Sequence, residues 1–209
     1  MSVVVQLMMG VSLAACAGLR AWLPMLVVGL LARGGYAHLN SSFEFLARND
    51  ALIVFGVATV IELVGDKIIA VDHFLDAVGT VVRPAVGTVL VSSMLTKLDR
   101  LAAVVLGLIV GGGASFTVHA GKALVRAKAS ALVPFHGGAA NAAISVVEDL
   151  ISGVGLWISV QLPVLAFVLA LAVIVTAIWL VIKFIKTGKR LFAFLTRWSA
   201  SPQAGQSDR

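Results

Sequence analysis

The chain has 209 residues, of which 60% are hydrophobic and 12% charged, with a mean hydropathy of +1.04. Soluble globular domains carry about 25% charged residues, so this chain has too few to cover a water-facing surface, and the same arithmetic excludes a disordered or fibrous chain. What remains is an all-α integral membrane protein made almost wholly of spanning helices.

A spanning helix needs about 20 mostly apolar residues, and the chain offers about six such segments. The first covers 3–32 and is interrupted by Arg20 and Pro24. Its middle, Ala14-Ala15-Cys16-Ala17-Gly18, is a small-residue surface suited to close helix packing. Leu13-Ala14-Ala15-Cys16 also resembles a lipoprotein cleavage box. Residues 1–15 contain no Lys or Arg, however, and the apolar run continues to Leu31, which favours an uncleaved span. With one cysteine there is no intrachain disulfide. Segments 51–65 and 81–95 are short, and the stretch 66–80 between them can extend either. Segments 100–118, 139–160 and 163–185 follow, the last free of charge until Lys183. Together they form a single transmembrane domain over 1–198, and the small, polar residues 199–209 read as a disordered cytoplasmic tail.

Loops 33–50, 96–100 and 160–163 carry balanced charge or none. Lys67, Arg83, Lys122, Arg126, Lys128 and the basic tail from Lys183 onward gather on the other side. The positive-inside rule then places both termini in the cytoplasm, as an even number of spans allows. The net charge of +6 serves orientation and contact with anionic membrane lipids, not nucleic acid.

The two halves, 1–97 and 98–198, resemble each other. Gly10–Gly18 can be laid over Gly107–Ser115, each a small-residue cluster followed by a basic group. Each half then bears acids, Glu62 and Asp66 in one, Glu148 and Asp149 in the other. Each closes with an apolar helix begun near a proline, Pro84 or Pro163. The pattern suggests a 3+3 inverted repeat with interrupted or re-entrant helices, the plan of many secondary transporters.

Charged side chains inside apolar segments are costly, and so are paired, water-facing or near an interface. Arg20 and Pro24 suggest a broken helix with a fixed positive charge, an anion or headgroup contact. The alternatives are snorkelling and pairing with a buried acid such as Glu62. Glu62 and Asp66 are four apart and share a helix face. They form either a proton or cation site or salt bridges to Arg20 or Lys67. Asp66, Lys67, Asp72, His73 and Asp76 are the densest titratable cluster. If helical, His73, Asp76, Thr80 and Arg83 share one stripe, as in a re-entrant or interfacial helix lining a cavity. Too few ligands are spaced for a metal, and no cofactor motif is present. Ser115, His119, Lys122 and Arg126 form a second stripe, read as an anion strip or as ordinary positive-inside charge. Asn141, Ser145 and Glu148 share a face at the start of the fifth segment, and with Asp149 they form a coupling-ion or ion-pair site.

Several of these strings together resemble a family of bacterial membrane proteins known as domain of unknown function 4126. They are Gly18-Leu19-Arg20-Ala21-Trp22-Leu23-Pro24, the run Glu62–Asp76, Val82-Arg83-Pro84, His119-Ala120-Gly121-Lys122 and Ser145-Val146-Val147-Glu148-Asp149. The resemblance runs from about residue 10 to 155 and implies a bacterial cytoplasmic (inner) membrane location and a common core, but no activity. Where the family pattern has Pro-Gly this chain has Ile69-Ala70, and where it has a second proline this chain has Ala142.

These features point to a transporter of a small solute, anion or lipid headgroup. Arg20, Asp66, Lys67, Asp72, His73, Asp76, Arg83, His119 and Lys122 are the expected substrate-binding residues. Glu62, Ser145, Glu148 and Asp149 are the coupling or ion-pair set. The competing readings are a structural or assembly subunit, as in a homo-oligomer, and a membrane-embedded lipid-modifying enzyme. The last is weakest, since no recognisable nucleophile is present.

Overall fold

The computed structural model describes the backbone of residues 1–132 and 137–199, and the side chains of these residues apart from 69, 70, 72, 73, 129–132, 137–142 and 190–199. Among the described residues every regular element is helical. In chain order these are α1 (Val3–Leu19), α2 (Trp22–Arg33), a 3-10 helix (Ser41–Ala47), α3 (Asn49–Gly65), α4 (Ile69–Met94), α5 (Arg100–Leu106), a π-helical turn (Gly107–Gly112), α6 (Gly113–Leu132), α7 (Gly137–Gln161) and α8 (Pro163–Ser199). Among the described residues, four stretches are long and apolar enough to cross a membrane: Phe74–Met94, Arg100–Lys128, Ala143–Gln161 and Pro163–Lys189. Helices α1 and α2 are apolar but shorter.

The first expected span, 3–32, is two helices instead of one. Helix α1 ends where Arg20 adopts an extended backbone (φ −134°, ψ 111°). Pro24 does not make the break; it sits in the first turn of α2, where backbone N–H groups have no partner within the helix. The chain then doubles back. Near the start of α1, Gln6 Nε2 donates to the Thr96 hydroxyl at 2.6 Å. Beyond α2, Asn40 Nδ2 donates to the carbonyls of Leu95 and Leu98 at 2.8 and 3.0 Å. Both ends of the α1–α2 pair therefore meet the turn that follows α4, and Arg20 lies at the far end of the bundle. Helix α8 heads toward that far end, with Ala177 against Gly121 and Val181, Phe184 and Ile185 beside Thr80 and His119. Its Lys183–Lys189 end lies beyond. The start of α1 and the basic end of α8 thus occupy opposite ends of the molecule. The expectation of both on one face assumed a single first span.

Segment 66–80 is not a separate re-entrant or interfacial helix. Only Asp66–Ile68 form a turn, and α4 runs from Ile69 through Pro84 to Met94. Residues 1–97 hold α1 to α4, and residues 98–198 hold the α5–α6 run, α7 and most of α8. The two small-residue segments aligned in the sequence both reach α4: Gly10 lies against Val91, and Gly107 and Gly111 lie against Thr88, Ser92 and Gly87.

Close backbone approach builds this part of the core. A Cβ added to Gly111 would sit 2.2 Å from the Gly87 carbonyl oxygen, and one on Gly18 would sit 2.6 Å from that of Ser115. Gly107 and Gly111 have the four-residue spacing that lets membrane helices pack tightly. Ala14 and Ala17 are fully buried, as their place in the small-residue cluster of α1 predicts. The hydroxyls here return to the backbone, as when Ser92 Oγ donates to Thr88 O at 2.7 Å and to Ala103 O at 3.0 Å.

Candidate functional site

The site begins with the break between α1 and α2. A helix C-terminus leaves carbonyls without partners, and a helix N-terminus leaves N–H groups without partners. Arg83 Nη1 donates to the Gly18 carbonyl at 2.8 Å and to the Leu19 carbonyl. Lys122 Nζ donates to the same Leu19 oxygen at 3.3 Å. On the other side of the break, the N–H groups of Ala21 and Trp22 donate to Glu62 Oε1 and Oε2 at 3.0 and 3.2 Å. Cations therefore face the negative end of α1 and a carboxylate faces the positive end of α2, the favourable sense for both dipoles.

The remaining charges close around this core. Arg20 donates to Asp66, lies 2.6 Å from Asp149, and donates to Ser145 Oγ at 2.8 Å. Arg83 pairs with Glu62 at 3.2 Å. Lys122 lies 3.1 Å from Glu148 and 3.7 Å from Asp76. Arg126 lies 2.8 Å from Glu148, 3.3 Å from Asp66 and 3.5 Å from Asp76. At the rim, half-exposed Lys67 reaches Asp149 at 3.8 Å. Among the described side chains the cations Arg20, Lys67, Arg83, Lys122 and Arg126 balance the carboxylates Glu62, Asp66, Asp76, Glu148 and Asp149. Such balance is required, because a buried charge without a partner costs several kcal/mol, about 3–5 when one partner is removed. Arg20 is 0% exposed and Arg83 1%.

The structure brings most of the expected residues into one cluster. His119 stands at its edge, buried, with Nε2 3.4 Å from the Thr80 hydroxyl. Its Nδ1 makes no hydrogen bond among the described residues. The side chains of Asp72, His73 and Asn141 lie outside the described residues. Three sequence expectations change. Arg20 does not snorkel to an interface. Its acids are Asp66 and Asp149; Glu62 goes instead to Arg83 and the start of α2. Arg126, which also reads as ordinary positive-inside charge, is buried and among the described residues bridges Asp66, Asp76 and Glu148. Its place four residues after Lys122 on the His119–Lys122 stripe was the available signal. Ser115 supports the site from behind, its hydroxyl donating to the Arg83 carbonyl at 2.8 Å.

Beside the cluster, a cavity of about 970 Å³ opens between α1, α6, α7 and α8. Lys122 and Glu148 are the charged residues in its wall; nearly all the rest is apolar. A second, smaller cavity of about 450 Å³ lies between α6 and α8 and touches Thr80 and His119. Among the described residues no three His, Cys, Asp or Glu side chains are placed to hold a metal ion. The carboxylates alternate with cations, so the arrangement suits exchange of ion pairs more than capture of a bare cation.

The fold and this cluster define a helical membrane protein with a buried ion-pair network built around a helix break. The family model described as Domain of unknown function (DUF4126) matches residues 7–183, and the chain belongs to that family. Neither the curated proteins nor the solved structures contain a match to it.

Proposed function

We propose that the protein is a membrane carrier for a small anionic or zwitterionic solute, or for a lipid bearing such a headgroup, and that the buried cluster is its binding site. The observation that supports this reading is the convergence of charges from the α1–α2 break, the α3–α4 turn, α4, α6 and α7 next to a large cleft. Stability alone gives little reason for such a cluster, because well-packed apolar residues generally serve a buried site as well or better. A charged solute would exchange partners with the existing pairs, and Lys122 and Glu148, a buried pair, are the charged residues that line the cleft.

In the membrane, the basic end of α8 faces the cytoplasm by the positive-inside rule, and the start of α1 faces the other side. The chain then crosses an odd number of times. Ala177 faces Gly121, beside Lys122, and Lys183 follows six residues later, so the cluster lies roughly 9 Å inside the cytoplasmic boundary. A structural role is the second reading, favoured by the direct pairing of cluster charges with one another.

Vesicles containing the protein, loaded with a panel of anions and labelled lipids, test the proposal with and without a pH gradient. Movement of at least one substrate is expected, and it should be lost in the double variant Lys122→Met with Glu148→Leu. No movement under any gradient would leave the structural reading in place. Wild-type movement in the double variant would remove the cluster as the site.

A further inference from the structure

The large cleft is chemically two-part. Along α8 its wall extends from Ala166 to Leu180, roughly 21 Å of helix, while one leaflet of the hydrocarbon core is about 15 Å deep, half of about 30 Å. Val147, Val154, Leu169 and Val173 line it, and the hydroxyls in its wall are turned back on their own helices. Ser12 donates to Met9 O at 2.9 Å, Ser159 to Gly155 O at 2.7 Å and Thr176 to Ala172 O at 2.8 Å. Such a wall offers hydrocarbon contact and asks for no polar partner. A small hydrated ion gains nothing from it, whereas an acyl chain does.

The polar end narrows the choice of headgroup. Lys122 Nζ and Glu148 Oε2 lie 3.1 Å apart, and both residues line the cleft. Lys122 and Glu148 pair with each other, so a lone anion that took Lys122 would leave the Glu148 carboxylate one cation short. A headgroup carrying both signs would leave neither short. Its anionic group would take Lys122 and its cationic group Glu148, with the pair opening to admit them.

We propose that the α1–α6–α7–α8 cleft holds an acyl chain of a zwitterionic phospholipid, with the phosphate on Lys122 and the ammonium group on Glu148. This rests on the carrier reading for the location of the site and names its substrate class as a zwitterionic amphiphile.

Native mass spectrometry of the full chain in a neutral maltoside detergent tests it, with lysophosphatidylethanolamine, lysophosphatidylglycerol and inorganic phosphate as probes. A one-to-one adduct of the zwitterionic lysolipid is expected, held about tenfold more tightly than the anionic one, the scale of one charge-assisted contact. Inorganic phosphate should not bind. Val173→Trp fills the cleft from a position 41% exposed, so it should fold, and it should weaken the adduct by about tenfold or more. Glu148→Gln should bring the two lysolipids to similar affinity. Equal binding of both by the wild type, or an adduct untouched by Val173→Trp, would overturn the proposal. So would a dimer with no lipid bound, which would give the cleft to a second copy of the chain. Adduct formation without transport in vesicles would defeat the carrier reading alone. Transport of a tailless anion with no lysolipid adduct would defeat this inference alone.

Discussion

The two ends of the bundle are both tightly buried, yet different forces hold them. Where α4 meets the π-helical turn, Gly87, Gly107 and Gly111 bring backbones together and the hydroxyls close on neighbouring carbonyls. Where α1 meets α2, large charged side chains fill the space that small residues fill elsewhere. Contact packing is tolerant of chemistry and strict about volume. A charge network is strict about both, since each member depends on partners from other helices. Mutations should therefore fail in different ways at the two ends.

The largest effect is expected from Arg20→Ala, which leaves Asp66 and Asp149 short of their closest cation. A loss of about 3–5 kcal/mol is expected for a broken buried pair, read from reversible unfolding in mixed detergent. Next comes Gly111→Ala, whose methyl group meets a backbone oxygen that cannot rotate away. Its cost should be about 1–3 kcal/mol in the same assay. Gly113, two residues on, has open space around it, so Gly113→Ala should instead stabilise by roughly 0.5–1 kcal/mol. If both glycines behaved alike, close approach would not be what holds this end. Arg48 and Asp50 provide the control for charge: their pair is 2.8 Å long and well exposed. Arg48→Ala should cost no more than about 1 kcal/mol, and the cost should shrink with added salt. Lys122→Met with Glu148→Leu keeps the charges balanced, so it should cost less than Arg20→Ala. It takes from Arg126 its nearest described carboxylate at 2.8 Å and from the Leu19 carbonyl the Lys122 contact, and some loss of stability is expected. Loss of transport from that variant while it still folds would separate a functional cluster from a purely structural one.

Much of this was legible in the chain. The apolar runs located α7 and α8, and the spacing of Asp76, Thr80 and Arg83 placed all three on one face of α4. The sequence also marked the small residues of α1 for close packing. It did not reveal that residues 3–32 fold back at Arg20. Hydropathy registers length and polarity, and a single arginine in an apolar run looks the same whether the chain continues or reverses. The reversal is specified by Glu62, Arg83 and Lys122, which are distant in sequence and satisfy the broken helix ends only in three dimensions. Arg126 was obscured for the same reason. A cation near the end of an apolar helix usually reports orientation, and its burial depends on acids carried by α4 and α7 and by the turn after α3.

The partners at the α1–α2 break bear on biogenesis. When the first two helices leave the ribosome, the groups that will satisfy Gly18, Leu19, Ala21 and Trp22 have not yet emerged. Glu62 arrives with the third helix, Arg83 with the fourth and Lys122 later still. Until then the hairpin must keep its open peptide groups near water or lipid phosphate, at shallow depth. Its final seating should therefore wait for α6, whose Lys122 is the last of these partners to arrive, and the later helices should draw the N-terminal ones inward.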